Sequence, residues 1–190
     1  MKKTSLKTQV MTIVHGKSEY RICCSLRSNL RLKHEIYADK KGEKSIQIDS
    51  LMNILENTKF KTFSSFIKHY PDIEHRKKRL INFKLFIIMD LDDSSTEMKN
   101  RFLNKEMFAR HWLNEYIVPI YNDPNLEQTM FEAGIEIQKN NKKKYFTIFP
   151  TNHGDLDVEM AQDFLEALKG CKNSNLAVYV EYCLSLVLKL

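Results

Sequence analysis

Two short stretches carry side chains suited to metal or phosphate chemistry: His15-Gly16-Lys17-Ser18-Glu19 and Asp90-Leu91-Asp92-Asp93. In an extended chain alternate residues face the same way, so Asp90 and Asp92 can share one ion while Asp93 points elsewhere. Carboxylates gathered in one crevice repel one another, and a hard divalent cation with oxygen ligands, Mg²⁺ or Mn²⁺, relieves that repulsion. The same Asp-x-Asp also fits a solvated strand end followed by a helix cap from Ser94 or Ser95. His15 can ligate Mn²⁺, act as a general base, or bond to backbone in a turn. Glu19 either joins such a site or complements the positive end of a helix.

The surrounding pattern specifies the elements that hold these groups. Residues 10–14 are β-branched and apolar and run into His15-Gly16, the signature of a buried strand ending in a tight turn. Residues 18–30 then repeat apolar positions at three- and four-residue spacing, which predicts a helix. A short strand over 34–38 and a helix over 46–55 follow. Residues 59–82 form an insertion with a short aromatic helix built on Phe60, Phe63, Phe66 and Tyr70. The run 83–89 is continuously apolar after Lys84, as expected for a central strand of a parallel sheet, and it leads directly to Asp90. Beyond it the pattern predicts a helix over 97–113, a strand over 116–121, a helix over 125–133 stopped by Gly134, an edge strand over 145–149, and helices over 157–168 and 178–190.

Alternating strands and helices give an α/β fold with a mostly parallel sheet flanked by helices. In such sheets functional groups collect at the carboxyl ends of the strands, which directs both acidic stretches to one crevice. The expected organisation is one α/β domain over 1–150 and a helical extension over 151–190, whose last helix aligns Val178, Tyr182, Leu186 and Leu190 as a core or homodimer face.

The order of Ile13-Val-His-Gly-Lys-Ser-Glu19, then Phe86-Ile-Ile-Met-Asp-Leu-Asp-Asp93, then Asn122-Asp-Pro-Asn-Leu-Glu127, then Lys142-Lys-Lys-Tyr-Phe146 resembles the TOPRIM fold, closest to the OLD-family and RloB-like nucleases. The resemblance covers roughly residues 10–150. It implies Glu19, Asp90, Asp92 and Glu127 as a Mg²⁺ or Mn²⁺ site, with a lysine such as Lys144 neutralising the transition-state phosphate. The family's first glutamate is His15 in this chain, so His15 takes a catalytic place with altered metal preference or marks a reduced site. The implied activity is hydrolysis of DNA or RNA, in an anti-phage defence system with a separate ATPase. The alternative is a non-catalytic subunit that keeps the fold and binds nucleic acid or protein.

Thirty Lys and Arg against 24 Asp and Glu leave a formal charge of +6, which permits contact with polyanions without requiring it. Arg76, Lys77, Lys78 and Arg79, with Lys17, Lys142 and Lys143, are the candidate nucleic-acid contacts, although a charge run also fits a solvated loop. The apolar runs 85–89 and 176–180 are too short to span a membrane, and the basic N-terminus lacks a signal-peptide cleavage pattern, so a cytoplasmic location is expected. No Walker A spacing is present around Gly42, and four cysteines without CxxC spacing exclude a zinc-ribbon reading.

Overall fold

The computed structural model describes residues 7–135, 144–152 and 154–188. The strands are β1 (Val10–Val14), β2 (His34–Tyr37), β3 (His75–Arg76), β4 (Arg79–Leu80), β5 (Lys84–Asp90) and β6 (Ile117–Asn122). The helices are α1 (Lys17–Asn29), α2 (Leu51–Leu55), α3 (Phe63–His69), α4 (Thr96–Leu103), α5 (Leu126–Glu132), α6 (Lys144–Ile148), α7 (Glu159–Leu168) and α8 (Leu176–Val187). Four strands form a parallel sheet in the order β2-β1-β5-β6, while β3 and β4 make a separate antiparallel hairpin. Helices cover both faces, a Rossmann-like α/β arrangement.

The strand sequences explain the layering. β1 and β5 are the two inner strands and lie between layers of helices, so both faces are buried and the apolar run is nearly continuous. The two-residue period sends Val10, Val14, Phe86 and Ile88 to a core shared with α1, α5, α6, α7 and α8. It sends Met11, Ile13, Leu85, Ile87 and Met89 to the other face, against α2, α3 and α4. Each large side chain buried this way contributes about 1.5–3 kcal/mol of transfer free energy.

Several expectations change. The helices expected as an extension belong to the first core: Phe164 and Leu168 of α7 and Tyr179, Val180 and Cys183 of α8 pack with Val10 and Phe86, and the Tyr179 and Phe86 rings lie 5.3 Å apart. On α8 the interior stripe is Leu176, Tyr179, Val180, Cys183 and Leu184. Val178, from the stripe expected to make contact, is 43% exposed; Leu190 lies outside the described residues. The aromatics of the insertion pack into the second core, as aromatics at that spacing usually do, with Phe60 and Phe66 fully buried. Helix α6 (Lys144–Ile148) stands where an edge strand was expected over 145–149: Tyr145 and, just past the helix end, Phe149 stack at 6.1 Å and are both buried. The helix expected over 97–113 stops at Leu103, because Lys105 turns left-handed at φ 63°, and a short 3-10 turn at Glu106–Phe108 follows. The helix expected over 46–55 begins only at Ile48, as a 3-10 turn, because Ile46 is bonded to His15 and Gln47 is still extended.

The outer edge of β6 is closed by α8's approach. Asn175 accepts a bond from the Tyr121 N–H at 2.8 Å and donates to the Pro119 carbonyl at 3.0 Å, occupying backbone groups that an open edge would expose. Among the described residues no helix is long and apolar enough to cross a membrane.

Candidate functional site

From β1 the chain crosses to β2 on one side, then to β5 on the other, so the sheet order reverses between β1 and β5. At such a reversal the loops beyond the carboxyl ends separate and leave a crevice. Here it is a polar cleft of about 220 Å³, lined by His15, Lys17, Ser18, Glu19, Asp90, Asp92, Asp93, Asn125 and Glu127 and by the 42–45 loop.

Glu19 is buried in the first turn of α1, and its Oε2 accepts the Gly16 N–H at 3.0 Å, closing the start of the helix. Asp90 ends β5. Ile88 lies on the α1 and α5 face and Met89 on the opposite one, so the strand period turns Asp90 toward α1 and α5. Its Oδ1 accepts the Leu126 N–H at 3.0 Å and the Asn122 side-chain amide at 3.2 Å. Asn122 is itself oriented by the Thr129 and Ser174 hydroxyls, at 3.2 and 3.0 Å from its Oδ1. Burial pushes Asp90 up to about 8, and the neighbouring Glu19 charge pushes the same way, against His15 and the Asn122 bond. Near neutral pH the carboxyl is therefore mostly protonated.

Asp92 and Asp93 lie on the loop after β5, which is tied to the next crossover by bonds from the Leu91 and Asp92 N–H groups to the Pro124 carbonyl, both 2.9 Å. Asp92 accepts from Asn125 at 3.1 Å and Asp93 from Gln47 at 3.3 Å. Asp93 lines the cleft as well, contrary to the alternation expected of a strand, because the chain leaves the extended conformation after Asp90. Asn125 caps α5 through Gln128 at 3.1 Å, which sets Glu127 in the helix's first turn at the cleft.

His15 donates from Nδ1 to the Ile46 carbonyl at 2.9 Å. A carbonyl oxygen only accepts, so Nδ1 carries the proton, and in the neutral ring Nε2 is the remaining acceptor. The turn that delivers this contact is tightly packed: Gly42 has φ +83°, and a Cβ there would meet the Gly16 carbonyl oxygen and Lys17 Cα at 2.7 Å. Only glycine allows the loop to lie on the β1–α1 turn.

Tyr145, Asn122 and the 42–47 loop carry weight that the sequence reading missed. Tyr145 is 1% exposed, and its hydroxyl makes no hydrogen bond of ordinary geometry among the described residues. Burial, then the charges of Glu127 and Glu19, hold its pKa far above the usual phenol value, with Ser18 opposing. The phenol therefore keeps its proton. An asparagine ending an apolar strand was the visible signal for Asn122; Tyr145 had none, being read as part of a strand.

The expected basic contacts are divided. Lys17 lines the cleft. Lys144 opens α6, while Lys142 and Lys143 lie outside the described residues. Arg76, Lys77, Lys78 and Arg79 sit on the β3–β4 hairpin before the start of β5, at the end of the sheet opposite the cleft.

The donor chemistry fits a hard cation: oxygen ligands predominate, and beyond the effect of burial the Glu19 charge raises Asp90, a repulsion that a cation would relieve. Among the described residues, however, no three His, Cys, Asp or Glu side chains are grouped as a ready metal cage. A cation would be held first by Asp90 and Glu19, with Asp92 and Glu127 the further candidates. No protein-family model matches the chain, and no curated protein or solved structure is significantly similar to it.

Proposed function

We propose that this chain is a metal-dependent phosphodiesterase of the TOPRIM type, a nuclease acting on DNA or RNA. What supports this is the meeting of Glu19, Asp90 and Glu127, from three separate elements, in a cleft at the carboxyl ends of the two central strands, with Asp92 and His15 beside them. Bound Mg²⁺ or Mn²⁺ would supply the charge that activates water and stabilises the leaving oxygen. Asp90 and Glu19 hold the ion, Asp92 and Glu127 complete the acidic wall, and Lys17 offers a positive charge to the substrate phosphate. His15 presents Nε2 as a proton acceptor or nitrogen ligand. A separate ATPase partner and a defence role follow from the same motif resemblance.

A second reading has its own support. Glu19, Asp90, Asp92 and Asp93 each already accept a hydrogen bond from the protein, as structural caps and loop ties would. On this view the cleft is a polar joint and the protein a non-catalytic binding subunit.

Cleavage of end-labelled DNA and RNA in Mg²⁺, Mn²⁺ or EDTA, beside an Asp90→Ala/Asp92→Ala variant, separates the two. Metal-dependent cleavage lost in the variant is the expected result. Absence of cleavage by the folded protein in every condition, with no metal-induced rise in Tm, favours the binding subunit.

A further inference from the structure

The β3–β4 hairpin breaks two local rules at once. Its two-residue turn is Lys77-Lys78, with φ 49° and 62°, the mirror-image turn in which Asn-Gly is the favoured pair. Both lysines carry a Cβ that the left-handed region disfavours. The residues facing each other across the ladder are Arg76 and Arg79, a like-charge pair where opposite charges stabilise. Folding alone selects neither feature, and such conflicts concentrate at functional positions.

The hairpin is also firmly mounted. Leu80 is buried and its N–H bonds to the Tyr116 hydroxyl at 3.1 Å, Ile81 N–H bonds to the Glu74 carbonyl at 2.9 Å, and the His75 ring packs edge-on to Phe63 at 5.5 Å. Arg76, Lys77, Lys78 and Arg79 are exposed, and none is ion-paired among the described residues. Nearby Asp72 is engaged by Lys33 at 2.7 Å. Lys84, on the groove beside the hairpin, extends the cationic surface, with Nζ 4.7 Å from the centre of the Tyr182 ring.

We propose that this hairpin docks the phosphodiester backbone of a polynucleotide at a site separate from the acidic cleft. Four unpaired cations on a rigid tip suit a regular polyanion. A lipid surface is the poorer match, because no large exposed apolar side chain lies on the hairpin to enter a bilayer. The choice of polynucleotide among polyanions rests on the nuclease reading of the cleft. The span of β5, roughly 20 Å at 3.3 Å per residue, separates the two sites, so the hairpin holds substrate at a distance from the cleft rather than touching the scissile bond.

The test is binding of labelled 30-nucleotide RNA and 30-base-pair DNA in EDTA, from 50 to 200 mM salt, for the wild type and two variants. Lys77→Asn/Lys78→Gly restores the favoured turn and is expected to raise Tm by about 2–4 °C while weakening binding, so lost affinity cannot be blamed on lost fold. Replacing all four cations with Gln is expected to lower the salt slope by about 3, which makes roughly sixtyfold less affinity change over that salt range. Unchanged affinity and slope in both variants overturn the proposal, as does hairpin-dependent binding to phosphatidylserine vesicles without binding to either polynucleotide. Mn²⁺-dependent hydrolysis of bis(p-nitrophenyl) phosphate reads the cleft independently. Hydrolysis without hairpin-dependent binding removes the docking site alone, and hairpin-dependent binding without hydrolysis removes the nuclease reading alone.

Discussion

His15 and Ile46 exchange two hydrogen bonds: the imidazole Nδ1 donates to the Ile46 carbonyl at 2.9 Å, and the Ile46 N–H donates to the His15 carbonyl at 2.8 Å. The backbone contact stitches the loop after β2 to the turn after β1, and the side-chain contact fixes Nδ1 as the protonated ring nitrogen. Structure and function can thus be separated at this residue. In His15→Asn the side-chain amide can replace the Nδ1 donor, so stability should change by no more than about 0.5 kcal/mol, yet Nε2 is gone. His15→Ala removes the donor and leaves the Ile46 carbonyl without it, at a cost of about 1–3 kcal/mol. If Nε2 serves the cleft, both variants lose metal-dependent cleavage; chemical denaturation and cleavage assays on the pair distinguish the two roles.

Gly42 makes the same junction possible from the other side. Gly42→Ala adds a Cβ 2.7 Å from backbone atoms of Gly16 and Lys17, at a residue with φ +83°. Backbone cannot step aside as a flexible side chain would, so a loss of at least about 2 kcal/mol is expected. A thermal melt indistinguishable from wild type would show that the loop does not rest on the turn in solution. Because Ser45 and Ile46 follow directly, the same variant should lower metal affinity at the cleft.

Much of this arrangement was legible in the sequence, for a physical reason. A parallel strand buried on both faces must be apolar along its length, so 10–14 and 83–89 announce themselves, and the polar residues that end them are necessarily at the cleft end of the sheet. Asn125 before an apolar turn announces a helix start in the same way. The misses share a different cause. Tyr145 and Phe149 read as a strand because a five-residue aromatic stretch has too few turns to display its period. The α7 and α8 pair read as an extension because apolar helices reveal that they are buried, not against what. The hairpin's charges were visible, but the left-handed turn under Lys77 and Lys78 was not, since nothing in a lysine pair signals positive φ.

Asp90 links the cleft to stability. Its folded pKa of about 8 lies above the ordinary carboxyl value, so the folded state holds a proton that the unfolded chain has released. By linkage, this residue's contribution to stability is complete below about pH 4 and is lost as pH rises toward 8. Asp90→Asn keeps an oxygen to accept the Leu126 N–H while removing the buried charge. It should therefore stabilise the metal-free protein at pH 8, by on the order of 2 kcal/mol, with the gain shrinking toward zero near pH 4. Urea unfolding at the two pH values checks this, and a variant less stable than wild type at pH 8 contradicts the burial argument. Stabilisation combined with loss of cleavage would mark the carboxylate as retained for chemistry rather than for folding.

His34 gives the opposite slope from the far side of the sheet. It opens β2, is 4% exposed, and its Nε2 lies 3.1 Å from the Thr12 hydroxyl. Burial, with the Arg27 charge adding, pushes its pKa down to about 3, so the ring stays neutral in the fold. Below about pH 6.5 the unfolded chain gains a proton that the native state refuses, and stability falls with pH until about 3. The loss should be on the order of 2 kcal/mol between pH 6.5 and 5. Asp90 acts in the reverse sense over the same interval, so the wild-type curve alone can look flat. The decisive quantity is the difference between wild type and His34→Gln: the variant's deficit should be largest at pH 7 and narrow steadily toward pH 5. A deficit independent of pH would mean that the imidazole is accessible to protons in the native state.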